Sequence, residues 1–168
     1  MHIEVINCRD DRLVDYIVRA IEFYGEQLIS KRILNNISIE IIFDEDLEDL
    51  GGASIDGYNS AKKARSFLIE LSRKISGKTI LQTLAHEMIH IKQYAYGETN
   101  EELNVWKGEP IDSDNIDYYD LPWEIEAYGR EQGLFSKFVV KEKLWDIFEE
   151  IYLPDSPPDF EEIGWKVV

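Results

Sequence analysis

A short stretch near the middle of the chain, His86-Glu87-Met88-Ile89-His90, places two histidines four residues apart with a glutamate beside the first. Residues 78 to 96 carry apolar side chains at helical spacing. Thr79 and Gln82 can form a capping box at the start of this helix, and Gly97 offers a stop. Residues four apart share one helix face, so both imidazoles can point at one location. The chain must therefore fold around a mostly buried helix that carries two polar rings.

Burying two imidazoles without partners costs roughly 2 kcal/mol or more for each ring, so a polar group or a metal ion should meet them. Zinc suits the pattern because it accepts neutral imidazole nitrogens and, in catalytic sites, leaves one position for water. The adjacent Glu87 can take the proton of that water. The pattern thus indicates hydrolysis, with His86 and His90 as metal ligands and Glu87 as the catalytic base. The alternative is an amphipathic helix whose two histidines are ordinary surface or core residues.

The composition bounds the class of protein. With 168 residues, 44% of them apolar, the chain suits one globular domain with a single core. No apolar run is long enough to span a membrane, the N-terminus lacks a signal-peptide pattern, and the one cysteine, Cys8, excludes an internal disulfide framework. We therefore expect a soluble cytoplasmic protein, with residues 1–168 forming a single domain that ends in an irregular tail at 153–168.

The charge balance constrains the partners. Eighteen basic residues against thirty-four acidic ones give a formal net charge of −16. Such a surface repels a polyanion, which works against direct binding to nucleic acid, whereas a basic partner suits it. Apolar periodicity is lost from 97 to 121, where acidic residues dominate. We name this segment the acidic loop, and loops of its length tend to be functional or disordered.

Periodicity elsewhere predicts the α+β class, with a small mixed or antiparallel sheet packed on helices. The expected elements are strands at 2–7, 37–43 and 66–72, a loop with a short strand or turn at 51–58, and helices at 10–30 and from Pro122 onward. Asp120 can cap the last helix, which should break near Gly133 and continue towards Tyr152. The strand at 66–72 precedes the histidine helix, and we predict that it is an exposed edge able to hold an extended peptide. An ordinary paired strand is the alternative.

A catalytic zinc needs a third protein ligand besides the two histidines. His2 lies near the terminus, and no histidine follows the motif at metzincin spacing. A carboxylate from a second helix must serve, and the helix from Pro122 carries Glu124 and Glu126 among apolar and small residues. These two point roughly 200° apart on a helix, so only one of them can face the metal.

The two motifs together, His86-Glu87-Met88-Ile89-His90 and Pro122-Trp123-Glu124-Ile125-Glu126-Ala127, resemble the minimal gluzincin-type zinc metallopeptidases, including the SprT-like proteins that bacteria and bacteriophages encode. The resemblance covers about residues 36 to 133. It implies a zincin-like fold with an active-site helix and a glutamate-bearing second helix, a zinc-dependent peptidase activity and, for a phage-encoded protein, the host cytoplasm. Some SprT-like proteins act on proteins crosslinked to DNA, but through basic or zinc-ribbon parts that this sequence lacks.

In related small gluzincins the third ligand is the first glutamate of an E-x-x-A pattern, which falls on Glu124 here. The helix faces agree: the small Ala127 would let this helix approach the histidine helix, whereas Arg130 offers Glu126 an ordinary i,i+4 ion pair. The predicted set is therefore Zn²⁺ held by His86, His90 and Glu124, with Glu87 as the base acting on a peptide or protein substrate. A donor for the developing oxyanion is also expected, and the candidates are Tyr118, Tyr119 and Tyr128.

Two other functions stay open from the sequence. One is a zinc-binding module without peptidase activity, which would keep the ligands and lack the oxyanion donor. The other is an acidic protein-interaction domain that binds no metal.

Overall fold

The computed structural model describes residues 1–144. The first half of this range forms β1 (His2–Ile6), α1 (Asp11–Leu28), α2 (Lys31–Leu34), β2 (Ser38–Asp44), β3 (Gly51–Tyr58) and β4 (Ala64–Ser72). The second half forms α3 (Gly77–Tyr96), β5 (Val105–Trp106), β6 (Glu109–Pro110) and α4 (Pro122–Glu142). The predicted α+β class is confirmed. The helical spacing expected towards Tyr152 and the irregular tail at 153–168 lie outside the described residues.

A four-stranded mixed sheet forms one layer of the fold, with the strand order β1-β2-β4-β3. The first three strands in this order run parallel, and β3 is antiparallel to β4. Because successive side chains alternate between the faces of a sheet, Ile41 of β2 and its register partner Ile69 of β4 point the same way, and both are fully buried. Their face belongs to the hydrophobic core, which the helices complete.

The sheet edge beside the histidine helix is β3, and the prediction of an edge at 66–72 is wrong. That segment belongs to β4, which is paired on one side with β2 and on the other with β3. The sequence of β3 contains Gly51, Gly52 and Gly57 and few apolar residues, so its own strand preference is weak. Segment 51–58 becomes a strand because it pairs with β4, which comes later in the chain.

Helix α3 is the central element of the helical layer, since it packs against β3, β4, α1 and α4. It begins with Ser76 as the cap, whose Oγ accepts a hydrogen bond from the Thr79 backbone N–H at 3.2 Å, so the predicted capping box of Thr79 and Gln82 does not form. It ends at Gly97, as predicted, in the left-handed conformation with φ of 70°. On its inner side the Tyr24 hydroxyl of α1 donates a hydrogen bond to the Leu81 carbonyl at 3.0 Å.

Helix α4 runs without a break through Gly133 to Glu142, contrary to the expected interruption. One glycine inside a helix costs only about 1 kcal/mol, and burial of Leu134, Phe135 and Phe138 beyond it outweighs that cost. Asp120 does not cap this helix; Leu121 occupies the cap position without a side-chain hydrogen bond, and Pro122 supplies the first turn.

The acidic loop is more ordered than its composition predicts. It contains the short ribbon of β5 and β6 and two single 3₁₀ turns at Ser113–Asn115 and Tyr118–Asp120. Trp106 anchors the ribbon by packing against the buried Trp123 of α4, with ring centroids 6.3 Å apart. Across residues 1–144, the structure contains no helix with both the length and the apolar character needed to cross a membrane.

Candidate metal centre

Helices α3 and α4 bring the three predicted metal ligands together. His86 and His90 lie one turn apart on α3, and Glu124 reaches them from the first turn of α4. The two Nε2 atoms are 3.0 Å apart, and the Glu124 carboxylate oxygens lie 3.3 Å from His86 Nε2 and 3.5 Å from His90 Nε2. One ligand atom from each of the three residues lies within 4.8 Å of the other two.

In each imidazole Nδ1, the nitrogen on the side away from the cluster, faces a hydrogen-bond acceptor. His86 Nδ1 lies 2.7 Å from Glu131 Oε2, and His90 Nδ1 lies 2.9 Å from Gln93 Oε1. A carboxylate oxygen and an amide oxygen only accept hydrogen bonds, so both Nδ1 atoms must carry a proton and donate it. In the neutral rings this tautomer leaves the lone pairs on the two Nε2 atoms, which point at each other and at Glu124.

This convergence requires a cation. Two Nε2 lone pairs and a carboxylate repel each other at these separations unless a proton or a metal ion lies among them. The Glu124 side chain is buried, with 5% of its surface exposed, and its carboxylate faces His86 Nε2 at 3.3 Å and His90 Nε2 at 3.5 Å. A buried carboxylate is costly unless positive charge lies beside it, and either a proton on a facing histidine or a bound cation supplies that charge.

The arrangement fits zinc. Zinc bonds to imidazole nitrogen and carboxylate oxygen of ~2.0–2.2 Å at tetrahedral angles place neighbouring ligand atoms about 3.3 Å apart. The shortest separation for each pair of residues is 3.0, 3.3 or 3.5 Å, close to that value, although the last two distances end on different oxygens of Glu124. Two neutral imidazoles and one carboxylate are also a donor set found in catalytic zinc sites. Each histidine further donates its second N–H to a side-chain oxygen, as metal-ligating histidines usually do.

The pKa values of His86 and Glu124 show the same demand for positive charge. Burial alone would lower the pKa of His86, but hydrogen bonds with Glu124 and Glu131 outweigh it and raise this pKa to about 9. Burial would raise the pKa of Glu124, whereas its interactions with His86 and His90 lower it to about 2. In the metal-free chain a proton on His86 therefore supplies the charge that a metal would supply.

Glu87 lies beside the cluster and is not one of the three converging residues. Its side chain is buried, with 4% exposed, and this burial raises the pKa of its carboxyl group despite the two neighbouring histidines, which lower it. The backbone of Ala53 in β3 offers it a hydrogen bond that counters part of the rise. A carboxylate with a raised pKa next to a metal position is suited to accept a proton from water.

Glu126, the alternative third ligand, points away from the two histidines. Its carboxylate accepts hydrogen bonds from Lys92 Nζ at 2.8 Å, Gln93 Nε2 at 3.1 Å and Arg130 at 3.2 Å. The ion pair with Arg130 is the one expected from the sequence, and the contacts with Lys92 and Gln93 are additional. Burial would raise the pKa of Glu126, but these partners lower it, so this carboxylate is ionised and already paired.

A cleft of about 630 Å³ opens in front of His86 and Glu87, and a smaller recess of about 150 Å³ continues past Glu124 along β3. The three candidate tyrosines line the larger part. Tyr118 lies in both parts, and hydrogen bonding between its hydroxyl and the Glu124 carboxylate is among the causes of their pKa shifts. The Tyr128 ring instead packs edge-on against His86, with centroids 4.7 Å apart.

Two residues at the site had no predicted role. Glu131 lies seven residues after Glu124 and therefore on the same face of α4, which was the available signal. Gln93 lies three residues after His90 on α3, also on a shared face. Spacing shows that such residues are near the ligands, but it does not show which side chain each one contacts.

Comparison of the chain with protein-family models, curated proteins and solved structures finds no match. The resemblance to minimal gluzincins therefore stays a prediction that depends on the two motifs. What the structure adds is chemical: two imidazoles with matched tautomers, one carboxylate that needs a cation, and a second buried carboxylate at the edge of a cleft.

Proposed function

We propose that this chain is a zinc-dependent metallopeptidase, with His86, His90 and Glu124 holding the metal and Glu87 acting as the general base. The observation that carries the proposal is the convergence of three ligand atoms within 4.8 Å beside an open cleft, with the buried Glu124 carboxylate facing both Nε2 atoms. When bound by such a set, zinc supplies a Lewis acid that lowers the pKa of water towards ~7 and polarises a carbonyl group.

Glu87 performs the proton transfers in this mechanism. Because burial raises its pKa, the carboxylate is a stronger base than an exposed glutamate and can accept a proton from the attacking water. Once protonated, it can donate that proton to the nitrogen of the departing amine. Its position next to His86 on α3 keeps it beside the metal position throughout.

Strand β3 is suited to hold the substrate. As the sheet edge, it presents backbone N–H and C=O groups to which an extended peptide can add as a further strand. Gly51 lines both parts of the cleft, and Gly52 and Ala53 line the smaller part beside Glu87. A peptide paired there would pass the metal position with its backbone stretched.

Tyr118 is the best placed of the three tyrosines to stabilise an oxyanion. Its hydroxyl faces Glu124, whose carboxylate is one of the metal ligands, and its ring is half exposed in the cleft. A phenol donor near the metal position can hydrogen-bond the negative oxygen that develops on the attacked carbonyl, once its one O–H turns from Glu124 to that oxygen. Tyr128 is held against His86, and Tyr119 is the most exposed of the three.

The decisive experiment combines elemental analysis with turnover of a denatured protein substrate. We expect about one zinc per chain, lost in His90→Ala and retained in Glu87→Gln, whereas both variants lose hydrolysis. The loss in Glu87→Gln should be roughly 10²–10⁴-fold, the usual contribution of a general base. Full zinc occupancy in His90→Ala would contradict the metal site. Zinc binding with no turnover by the unmodified chain would instead favour a zinc-binding module, and the absence of zinc an acidic interaction domain.

A further inference from the structure

We propose that Gln93 is a positioning residue for His90, and that Glu126 and Lys92 hold Gln93 in place. In this arrangement Gln93 fixes the Nδ1–H tautomer and the ring orientation of His90, so that Nε2 presents its lone pair to the metal position. The inference rests on the proposed zinc site for its purpose, while the tautomer itself is a property of the metal-free chain.

The hydrogen bonds of Gln93 leave it one orientation. Its side chain is fully buried, and its Nε2 donates to the Trp123 carbonyl at 3.0 Å and to Glu126 Oε2 at 3.1 Å. Turning the amide over would put an oxygen against these two acceptors and lose both bonds. Its Oε1 must therefore face His90, where it accepts the Nδ1–H bond at 2.9 Å.

Glu126 is held in turn by a buried cation. Lys92 has only 9% of its surface exposed, and its Nζ donates to Glu126 Oε1 at 2.8 Å and to Glu98 Oε2 at 2.6 Å. A buried lysine would be destabilising without these two carboxylates. Lys92 and Gln93 belong to α3 and Glu126 belongs to α4, so the network ties together the helices that carry His90 and Glu124.

An amide suits this position better than a carboxylate. The site already contains the carboxylates of Glu87, Glu124 and Glu131, and Glu126 lies within hydrogen-bond distance of the Gln93 side chain. A further negative charge at position 93 would be repelled by Glu126 and would lose the donors that Glu126 and the Trp123 carbonyl accept from. Gln93 can accept from His90 and donate to α4 at the same time, which a carboxylate cannot do.

The test uses three variants of the full chain. Gln93→Met keeps the length of the side chain and removes both polar ends. Gln93→Glu combined with Glu126→Gln exchanges the two groups, so that an acceptor remains at position 93 and a donor appears at position 126. Arg130→Ala is the control, since it removes the exposed ion pair of Glu126 and contacts neither Gln93 nor His90 directly.

Two measurements are made on each variant: the His90 tautomer in the metal-free protein, by long-range ¹H–¹⁵N correlation, and the Zn²⁺ dissociation constant, by chelator competition. We expect the Nδ1–H tautomer in the unmodified chain and in Arg130→Ala. Gln93→Met should shift His90 towards Nε2–H and weaken Zn²⁺ binding by roughly 10–100-fold, the usual effect of losing such a partner. The exchanged pair should restore the Nδ1–H tautomer and part of the affinity, since the Trp123 carbonyl still lacks its donor; a merely structural role of Gln93 would not predict the restored tautomer.

An unchanged tautomer and unchanged Zn²⁺ affinity in Gln93→Met would overturn the inference while leaving the zinc site intact. A tautomer that changes as expected in a chain that never binds Zn²⁺ would support the role of Gln93 and refute the proposed function. Should Gln93→Met fail to fold, the exchanged pair decides alone, because an Nε2–H tautomer there would contradict the assignment.

Discussion

Four glutamates lie around the two histidines, and their surroundings give each carboxylate a different chemistry. Glu124 faces both Nε2 atoms and needs a cation, while Glu131 accepts the outer N–H of His86. Glu126 is neutralised by Lys92 and Arg130, and Glu87 is buried with a raised pKa. The same type of side chain thus has four roles: Glu124 is a candidate ligand, Glu131 orients His86, Glu126 links α3 to α4, and Glu87 is a candidate base.

Substituting Glu124 and Glu126 in turn should affect Zn²⁺ binding to different extents. We predict that Glu124→Ala removes a metal ligand and largely abolishes Zn²⁺ binding, since two histidines alone hold zinc poorly. Glu126→Ala acts only through Gln93 and should weaken binding by no more than roughly 10–100-fold. Zinc titration of both variants measures this difference. A large loss in the second variant with near-normal affinity in the first would reverse the assignment.

The stability of the metal-free protein should depend on pH through His86 and Glu124. The pKa of His86 is about 9 in the folded chain against 6.5 for an unperturbed histidine, so its contribution is complete below about pH 6.5 and is lost as pH rises through 9. The pKa of Glu124 is about 2 against 4.5, so its contribution is present above about pH 4.5 and is lost as pH falls towards 2. This pair therefore stabilises the metal-free fold most between about pH 4.5 and 6.5.

Urea unfolding of the metal-free protein from about pH 2 to about pH 9 measures the effect, and Glu124→Gln is the matched variant. We expect the variant to lose much of the decline on the acid side, because its side chain does not titrate. The raised pKa of Glu87 adds to the loss of stability at rising pH. Identical acid profiles for the two proteins would contradict the assigned role of Glu124.

At the level of elements, close packing of α4 and β3 against α3 determines the distances within the candidate metal site. Ala127 of α4 is fully buried, and its small side chain suits the close approach of α4 to α3 that the ligand distances require. On the other side, Gly51 brings β3 close to α3. A β-carbon at Gly51 would lie 2.9 Å from both the Glu70 carbonyl oxygen and the Thr83 methyl group, whereas one at Gly52 would meet nothing within 4 Å.

These two glycines form a matched pair for testing the edge strand. We predict that Gly51→Ala destabilises the fold by about 1–3 kcal/mol, since the added methyl group must push β3 away from the β4 backbone at Glu70 and from Thr83 of α3. It should also lower peptidase kcat/KM, because β3 borders Glu87. Gly52→Ala should leave stability nearly unchanged. Denaturant unfolding and hydrolysis assays on both variants provide the comparison, and equal effects would contradict the tight contact at Gly51.

At the scale of the whole molecule, the net charge of −16 produces a field that acts on any charged substrate. The acidic loop lies between α3 and α4 in the chain and is attached to β3 by a hydrogen bond from the Tyr58 hydroxyl to Glu101 at 3.0 Å. The Glu101 carboxylate is therefore close to the strand that we propose holds the substrate. Attraction from them would favour basic segments and would be screened over ~8 Å at physiological salt.

We predict that neutralising this loop changes substrate choice more than stability. The variant carries amides at four positions, Glu101, Glu102, Asp112 and Asp114. Each amide keeps an oxygen that can accept the existing hydrogen bonds, so the loop should stay folded. KM for basic peptides should rise, and its dependence on salt should fall.

The control neutralises four exposed acidic residues that line neither part of the cleft and lie outside β3 and β4: Glu4, Asp11, Glu22 and Glu26. It removes the same amount of charge, so it separates the local effect of the loop from the effect of net charge. Cleavage profiles that change equally in both variants, or in neither, would count against a role for the acidic loop.

The sequence alone determined the features that depend on one continuous segment. Apolar spacing predicted α1 at 10–30 and α3 at 78–96, and the structure has them at Asp11–Leu28 and Gly77–Tyr96. The i,i+4 spacing of His86 and His90 predicted a shared face, because the geometry of a helix fixes the direction of each side chain. The same geometry separated Glu124 from Glu126.

Only the tertiary structure decided the features that join distant segments. Glu131 and Glu126 contact His86 and Gln93 across 45 and 33 residues of chain, and local periodicity does not determine which distant side chain fills a given space. The sheet order is of the same kind: β3 became the edge because β4 paired on both sides, although the glycines of β3 alone indicate a loop. Helix α4 continued through Gly133 because burial beyond it, which depends on the rest of the core, exceeds the local cost of a glycine.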